Sequence, residues 1–179
     1  MKYLIMCEGN NELAIVNILL ENDLLIYSED DLLGANAYQA RQLKTSAKVK
    51  NELNLYTGKD IAIIRIGDKQ SDKITIPKEY KDQITGEIQK YCTKPELEIL
   101  LIISEGLWSD FQKEKSTIGP KDFAKKNIKL NGRKYDNSSN FFKEYYSNCP
   151  QKLVNAIKVY KQKNGAHKKG ELYLADLLK

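Results

Sequence analysis

Histidine is almost missing from this sequence: His167 is the only one, and it lies in the polar stretch Gly165 to Gly170. Ser-His-Asp or Cys-His catalysis would depend wholly on that residue, so both are set aside. Cysteine is scarce as well. Cys7, Cys92 and Cys149 are odd in number, far apart and form no CxxC pair. They support neither a disulfide framework nor a structural zinc site, and they fit a reducing cytoplasm. Cys7 beside Glu8 reads as a small residue ending a buried strand, with a reactive thiol as the alternative. No apolar run approaches the roughly 18 residues of a membrane span. The start, MKYLIMCEGN, has a very short apolar run and no small-residue cleavage site, so no signal peptide is expected. With no Walker loop and no GxGxxG, nucleotide binding of those kinds is unsupported.

What is present is a globular composition: 41% hydrophobic and 30% charged over 179 residues, enough for one domain or a domain with an extension. The net charge of +5 hides an asymmetry. Residues 1–112 hold 13 Lys+Arg and 18 Asp+Glu, which is −5, while residues 113–179 hold 16 and 6, which is +10. One reading sets a metal-binding or catalytic part beside a phosphate-binding part. The other is a lysine-rich solvated surface, and charge alone does not choose.

Periodicity then divides the chain. Lys2 to Cys7 reads as a strand, followed by a helix from Asn11 capped by Asn10 or Asn11. Leu24 to Tyr27 reads as a short strand, and Asp30 to Leu43 leans to helix through Ala35, Ala37, Gln39 and Ala40. Thr45 or Ser46 caps a helix that stops at Thr57-Gly58. "DIAIIRIGD" (Asp60 to Asp68) is the clearest strand, nearly continuous in apolar residues, as a central parallel strand should be. Gly86 to Cys92 is a further strand. "TKPELEILLIISEG" opens a helix with Thr93 as cap and Pro95 in its first turn. Beyond it, Phe111 to Lys115, Pro120 to Asn127, Gln151 to Lys163 and Glu171 to Leu178 read as helices, and Leu130 to Ser139 as a polar loop. The alternation argues for an α/β sheet with parallel strands.

In open α/β sheets, ligands sit outside the carboxyl ends of the strands. Three acidic stations fall there. "LIMCEGNNE" delivers Glu8 into a glycine, Asp68 follows the central strand, and Glu96 or Glu98 follows the strand ending near Cys92. Hard oxygen ligands gathered at one edge suit Mg²⁺ or Mn²⁺. Gly9 and Gly67 are expected to let the backbone turn tightly. Taken singly, each acid also reads as an exposed turn or cap residue.

The strand entering "EGNNE" and a helix, with a later strand ending in Asp, resembles the Toprim fold of topoisomerases, primases and OLD-type nucleases. "YCTKPELEILLI" is similar to the RloB-like group, where a proline and then a glutamate open a hydrophobic helix. The resemblance covers residues 2 to 105. It implies that Glu8 is a metal ligand or general acid/base, that Asp68 binds metal, and that Glu98, rather than Glu96, is the glutamate of the proline-led helix. Gln70 stands where a second aspartate would be, with Lys69 between. That removes one hard anion and adds a cation, which weighs against two-metal catalysis. Asp72, two residues late, is the substitute if its loop folds back. Glu12, one turn after Glu8, faces the same site or solvent.

The resemblance implies a Toprim-like (Rossmann-like), mainly parallel sheet flanked by helices over residues 1–112. A basic, mainly helical extension over 113–179 is expected to pack on it. It implies a cytoplasmic Mg²⁺-dependent nuclease of phage-defence or mobile-element systems, with DNA or RNA, and a partner protein of such a system, as its partners. The alternative is a degenerate Toprim module that binds nucleic acid or a protein without cleaving. In the basic half, Lys121, Lys125, Lys126, Lys129, Arg133 and Lys134 interleave with Phe123 and Tyr135, a pattern suited to backbone contact and base stacking. Tyr145, Tyr146, Lys158, Lys161, Lys163, Lys168 and Lys169 continue it. Lysines on an amphipathic helix are more often simply its solvated face. Phe141 and Phe142 read as core, and Trp108 as packing between sheet and tail.

Overall fold

A computed structural model of the chain describes residues 1–68, 71, 73–93, 96–163 and 170–179. The two most apolar runs become neighbours. Strands β1 (Lys2–Cys7) and β3 (Ile61–Gly67) run parallel, in register from Lys2 with Ile61 to Cys7 with Ile66. Every residue of β3 is buried, as a strand covered on both faces must be. Strand β2 (Leu32–Gln39) adds in parallel to β1, β4 (Ile88–Cys92) to β3, and β7 (Leu172–Tyr173) to β4. Among the described residues the five-stranded order is β2-β1-β3-β4-β7.

Alternation along β1 and β3 splits the core in two. Ile5, Cys7, Ile64 and Ile66 face helices α1 (Asn10–Glu21), α3 (Glu98–Ser104), α5 (Pro120–Asn127), α6 (Ser139–Ser147) and α7 (Pro150–Lys163). Leu4, Met6, Ile61 and Ile63 face α2 (Ala47–Leu55) and the turn carrying Tyr80 and Ile84. Helix α2 anchors through Val49 and Leu53, one turn apart and wholly buried, each worth about 1.5–3 kcal/mol. Its start is fixed by Ser46, whose Oγ accepts from the Val49 N–H at 3.4 Å.

Several expectations are corrected. Residues 32–39 form a strand, not a helix: pairing with β1 overrides their helix-leaning composition, and Gly34 and Ala35 take φ of 67° and 55° where the register slips. Leu24 to Tyr27 is no strand of the sheet; Leu25 forms only an isolated antiparallel bridge with Leu178. Helix α1 is preceded by Gly9 rather than capped by an asparagine. Helix α3 starts at Glu98, later than a Thr93 cap implied, and Pro95 lies outside the described residues. The polar loop contains a small hairpin, β5 (Lys129–Leu130) with β6 (Arg133–Lys134), turned by Asn131-Gly132 at φ of 49° and 81°. Leu172–Tyr173 is strand, followed by a 3₁₀ turn over Leu174–Leu177. Helix α4 (Trp108–Glu114) begins a turn earlier than expected, and Trp108 packs half-buried against the helical core.

Candidate functional site

Strand order decides where a crevice opens. From β1 the chain reaches β2 through α1 on one face, then returns across β1 to β3 through α2 on the other. The carboxyl ends of β1 and β3 are therefore a topological switch point. Glu8 follows β1 and Asp68 follows β3, so both stand there. Ladder hydrogen bonds carry on past the strand ends and fix the rim: Glu8 N–H donates to Ile66 O at 2.9 Å, Ala40 N–H to Cys7 O at 2.9 Å, and Thr93 N–H to Gly67 O at 3.0 Å. A cavity of about 570 Å³ opens above them, lined among others by Glu8, Glu12, Arg41, Asp68, Glu98 and Lys121.

Glu8 is paired. Its Oε2 lies 3.8 Å from a guanidinium nitrogen of Arg65 and its Oε1 lies 3.6 Å from Arg41, while the Asp68 N–H donates to Oε2 at 3.3 Å. Arg65 is 2% exposed inside β3, on the Ile61 and Ile63 side, and also donates to Ala40 O at 2.7 Å. A buried guanidinium requires a counter-charge, and the strand-end glutamate provides it. Gly67 makes the approach possible: a Cβ there would stand 2.5 Å from Glu8 Oε2. At Gly9 a Cβ would stand 2.8 Å from Glu12 Oε2. Neither glycine adopts a positive φ, so space rather than tight turning is what they supply, which corrects the expectation.

Glu12 turns toward this group. Burial, and then the negative charges of Glu8 and Asp68, push its carboxyl pKa up against opposing backbone hydrogen bonds. Burial likewise pushes the Cys7 thiol up, which speaks against a reactive thiol.

Glu96 and Glu98 reach the crevice differently. Glu96 is exposed, and its Oε2 accepts from the Lys121 N–H at 3.1 Å, in the first turn of α5. Glu98 is 5% exposed, and its Oε1 accepts from the Tyr135 hydroxyl at 2.7 Å. With the Asn137 amide oriented to suit both neighbours, its nitrogen donates to Glu98 Oε1 at 3.0 Å and its oxygen accepts from Lys121 Nζ at 2.9 Å. Glu98, Asn137 and Lys121 thus form a chain from the core to the crevice.

Among the described residues, no three His, Cys, Asp or Glu side chains group closely enough to hold a metal ion. Asp72, Lys69, Gln70, His167, Lys168 and Lys169 lie outside the described residues. The remaining basic residues are exposed or half-buried and partly committed: Lys126 pairs with Glu114 at 3.2 Å, Arg133 with Glu144 at 2.8 Å, and the half-buried Lys161 with Asp176. Lys125, Lys129, Lys134 and Lys158 are exposed, and Lys163 lies over the Trp108 ring. Phe123 and Tyr135 are 1% and 2% exposed, so they cannot stack on bases; Tyr146 is buried too. Tyr145 is half-buried, its hydroxyl donating to Glu105.

Sequence reasoning missed Arg65, Arg41 and Asn137 as site residues, and read Tyr135 as a stacking ring rather than the donor to Glu98. Arg65 did leave a signal, because a lone cation inside a strand buried on both faces requires an anion at its end. Among the described residues, no helix is long and apolar enough to cross a membrane. No family model, curated protein or solved structure matches the chain.

Proposed function

We propose that the switch-point crevice is the active site of a Toprim-like nuclease that cleaves DNA or RNA phosphodiesters with Mg²⁺ or Mn²⁺. The observation that carries the reading is the convergence of Glu8, Glu12 and Asp68 on one crevice beside Arg41 and Lys121. The donors are of the right kind for a hard cation; burial first, and then the negative charges of Glu8 and Asp68, raise the Glu12 pKa, and a cation would offset the charges. Glu8 and Asp68 would hold the ion, with Asp72 as a further candidate. Once bound, it would activate water and draw charge from the phosphate.

The chain's own groups would do the rest. Arg41 and Lys121 would hold the phosphate oxygens. Glu98 would act as a positioning residue, fixing Asn137 and through it Lys121 Nζ. Glu12, one turn after Glu8 and lining the same crevice, is placed to hand a proton to the leaving oxygen. A cytoplasmic role in phage defence or a mobile element belongs to the same proposal.

Incubation with single- and double-stranded DNA and with RNA, in Mg²⁺, Mn²⁺ or EDTA, tests it. Cleavage that needs metal and vanishes in Glu8→Gln supports the assignment; full activity in that variant sinks it. A second reading, a module that binds without cleaving, is favoured by Glu8 being shared between two arginines. It predicts salt-sensitive retention of nucleic acid without product.

A further inference from the structure

A second, larger groove joins the crevice through two shared residues, Asn10 and Arg41. It has a volume of about 930 Å³ and runs between α1 and α2 along the outer strand β2. Its lining is unusual for the acidic half of the chain. Side-chain amides make up a third of it: Asn10 and Asn17 from α1, Asn36 and Gln39 from β2, and Asn51 from α2. Arg41 and Lys48 add two cations, and Glu52 is the one acid among the lining residues.

Asn36 Nδ2 is used internally, donating to Gly34 O at 2.8 Å. Asn10, Asn17, Gln39 and Asn51 make no side-chain hydrogen bond within the protein among the described residues. An amide offers donors and an acceptor at once, the pattern that matches the edges of unpaired bases. In a duplex the Watson–Crick edges are already paired, so the amides favour a single strand, with Arg41 and Lys48 offering two phosphate contacts.

We infer that this groove binds a single-stranded nucleic-acid segment, its bases read by the amides and its backbone followed by Lys48 and Arg41 toward the crevice. The inference rests on the nuclease reading and names its substrate class as single-stranded. It places the strand on the acidic half of the chain, meeting Lys121 only at the crevice, rather than on the basic residues 125–134.

The test measures binding alone. Wild-type protein in EDTA is titrated into fluorescein-labelled DNA of about ten nucleotides, within the span one small fold covers. RNA of the same sequence and the DNA duplex are run beside it, followed by anisotropy at several salt concentrations. The two single strands tell whether the ligand is DNA or RNA, and the duplex is expected to bind more weakly than either. Asn17→Ala/Asn51→Ala is expected to weaken binding by about tenfold or more, the loss of one or two net hydrogen bonds. The slope of log K against log salt is expected near −1.4 for two cations, falling by about 0.7 in Lys48→Ala.

Circular dichroism and melting confirm that the variants fold. Unchanged affinity in the double variant, preference for duplex, no binding to any probe, or a slope of about −4 or steeper would each overturn the inference. Single-strand binding lost in the groove variants, from a protein that cleaves nothing with any metal, would uphold the groove and overturn the nuclease reading.

Discussion

The Tyr135 hydroxyl donates to Glu98 Oε1 at 2.7 Å, tying the 135–137 turn to the first residue of α3. Burial, then the Glu98 charge and this hydrogen bond, push the Tyr135 pKa well above its ordinary range, which favours the hydroxyl as donor. Tyr135→Phe keeps the ring among Phe141 and Phe142 but removes the donor. The expected cost is about 1.5–3 kcal/mol, the worth of a hydrogen bond to a charged group, read from denaturant unfolding. A loss under about 0.5 kcal/mol would mean that Asn137 alone satisfies Glu98.

Arg65 and Glu8 differ in what their removal leaves behind. Arg65→Met removes the buried cation and the donor to Ala40 O but leaves Glu8 paired with Arg41, so about 1–3 kcal/mol of stability should go. Glu8→Gln leaves the Arg65 guanidinium buried without its counter-charge, so it should cost more, about 3–5 kcal/mol in denaturant unfolding, while losing metal-dependent cleavage. Equal destabilisation by both substitutions would show that charge pairing is not what holds Arg65.

Gly67→Ala separates site from fold. The added Cβ would meet Glu8 Oε2 at 2.5 Å and Glu8 Cβ at 3.2 Å, so the carboxylate must move aside. A displacement of about 1 Å at a reacting group costs on the order of 100-fold in rate. Cleavage should fall by that order while the melting temperature drops only a few degrees, roughly what 1 kcal/mol produces. Unaltered cleavage would remove Glu8 from the reacting group.

The raised Glu12 pKa gives a pH signature. A carboxyl that holds its proton more tightly when folded contributes stability that is fully present below its ordinary value of 4.5 and is lost as pH rises through the raised folded value. Glu12→Gln should therefore gain in melting temperature relative to wild type as pH climbs from about 4.5 toward neutrality. Mg²⁺ should narrow that gap by supplying the missing positive charge. A gap that stays flat with pH would mean that neither burial nor the charges of Glu8 and Asp68 perturb Glu12.

The sheet's centre was legible because its strands are apolar on both faces: Lys2–Cys7 and Ile61–Gly67 need no partner to be recognised. Strand β2 was not, since Ala35, Ala37 and Gln39 carry a helix-leaning composition that only β1 corrects. Helix α6 was hidden behind the polar run before it, although Ser138 caps it through the Phe141 N–H and Phe142 and Tyr146 lie one turn apart. Glu8 and Asp68 could be placed at strand ends from the residue pattern alone. Their partners could not, because Arg41 and Asn137 reach the crevice, and Tyr135 reaches Glu98, from loops whose positions depend on long-range packing.

Strand β7 pairs with β4 through Tyr91 with Leu172 and Cys92 with Tyr173, after all of α3 to α7 has intervened. During synthesis, β4 is complete about eighty residues before its outer neighbour exists, roughly 4–16 s at ordinary elongation rates. Through that interval the nascent sheet carries an open hydrogen-bonding edge, a place for another chain to add. The two-residue β7 is thus the closing piece of assembly, and a chain halted before Leu172 should be held by chaperones or aggregate rather than accumulate in folded form.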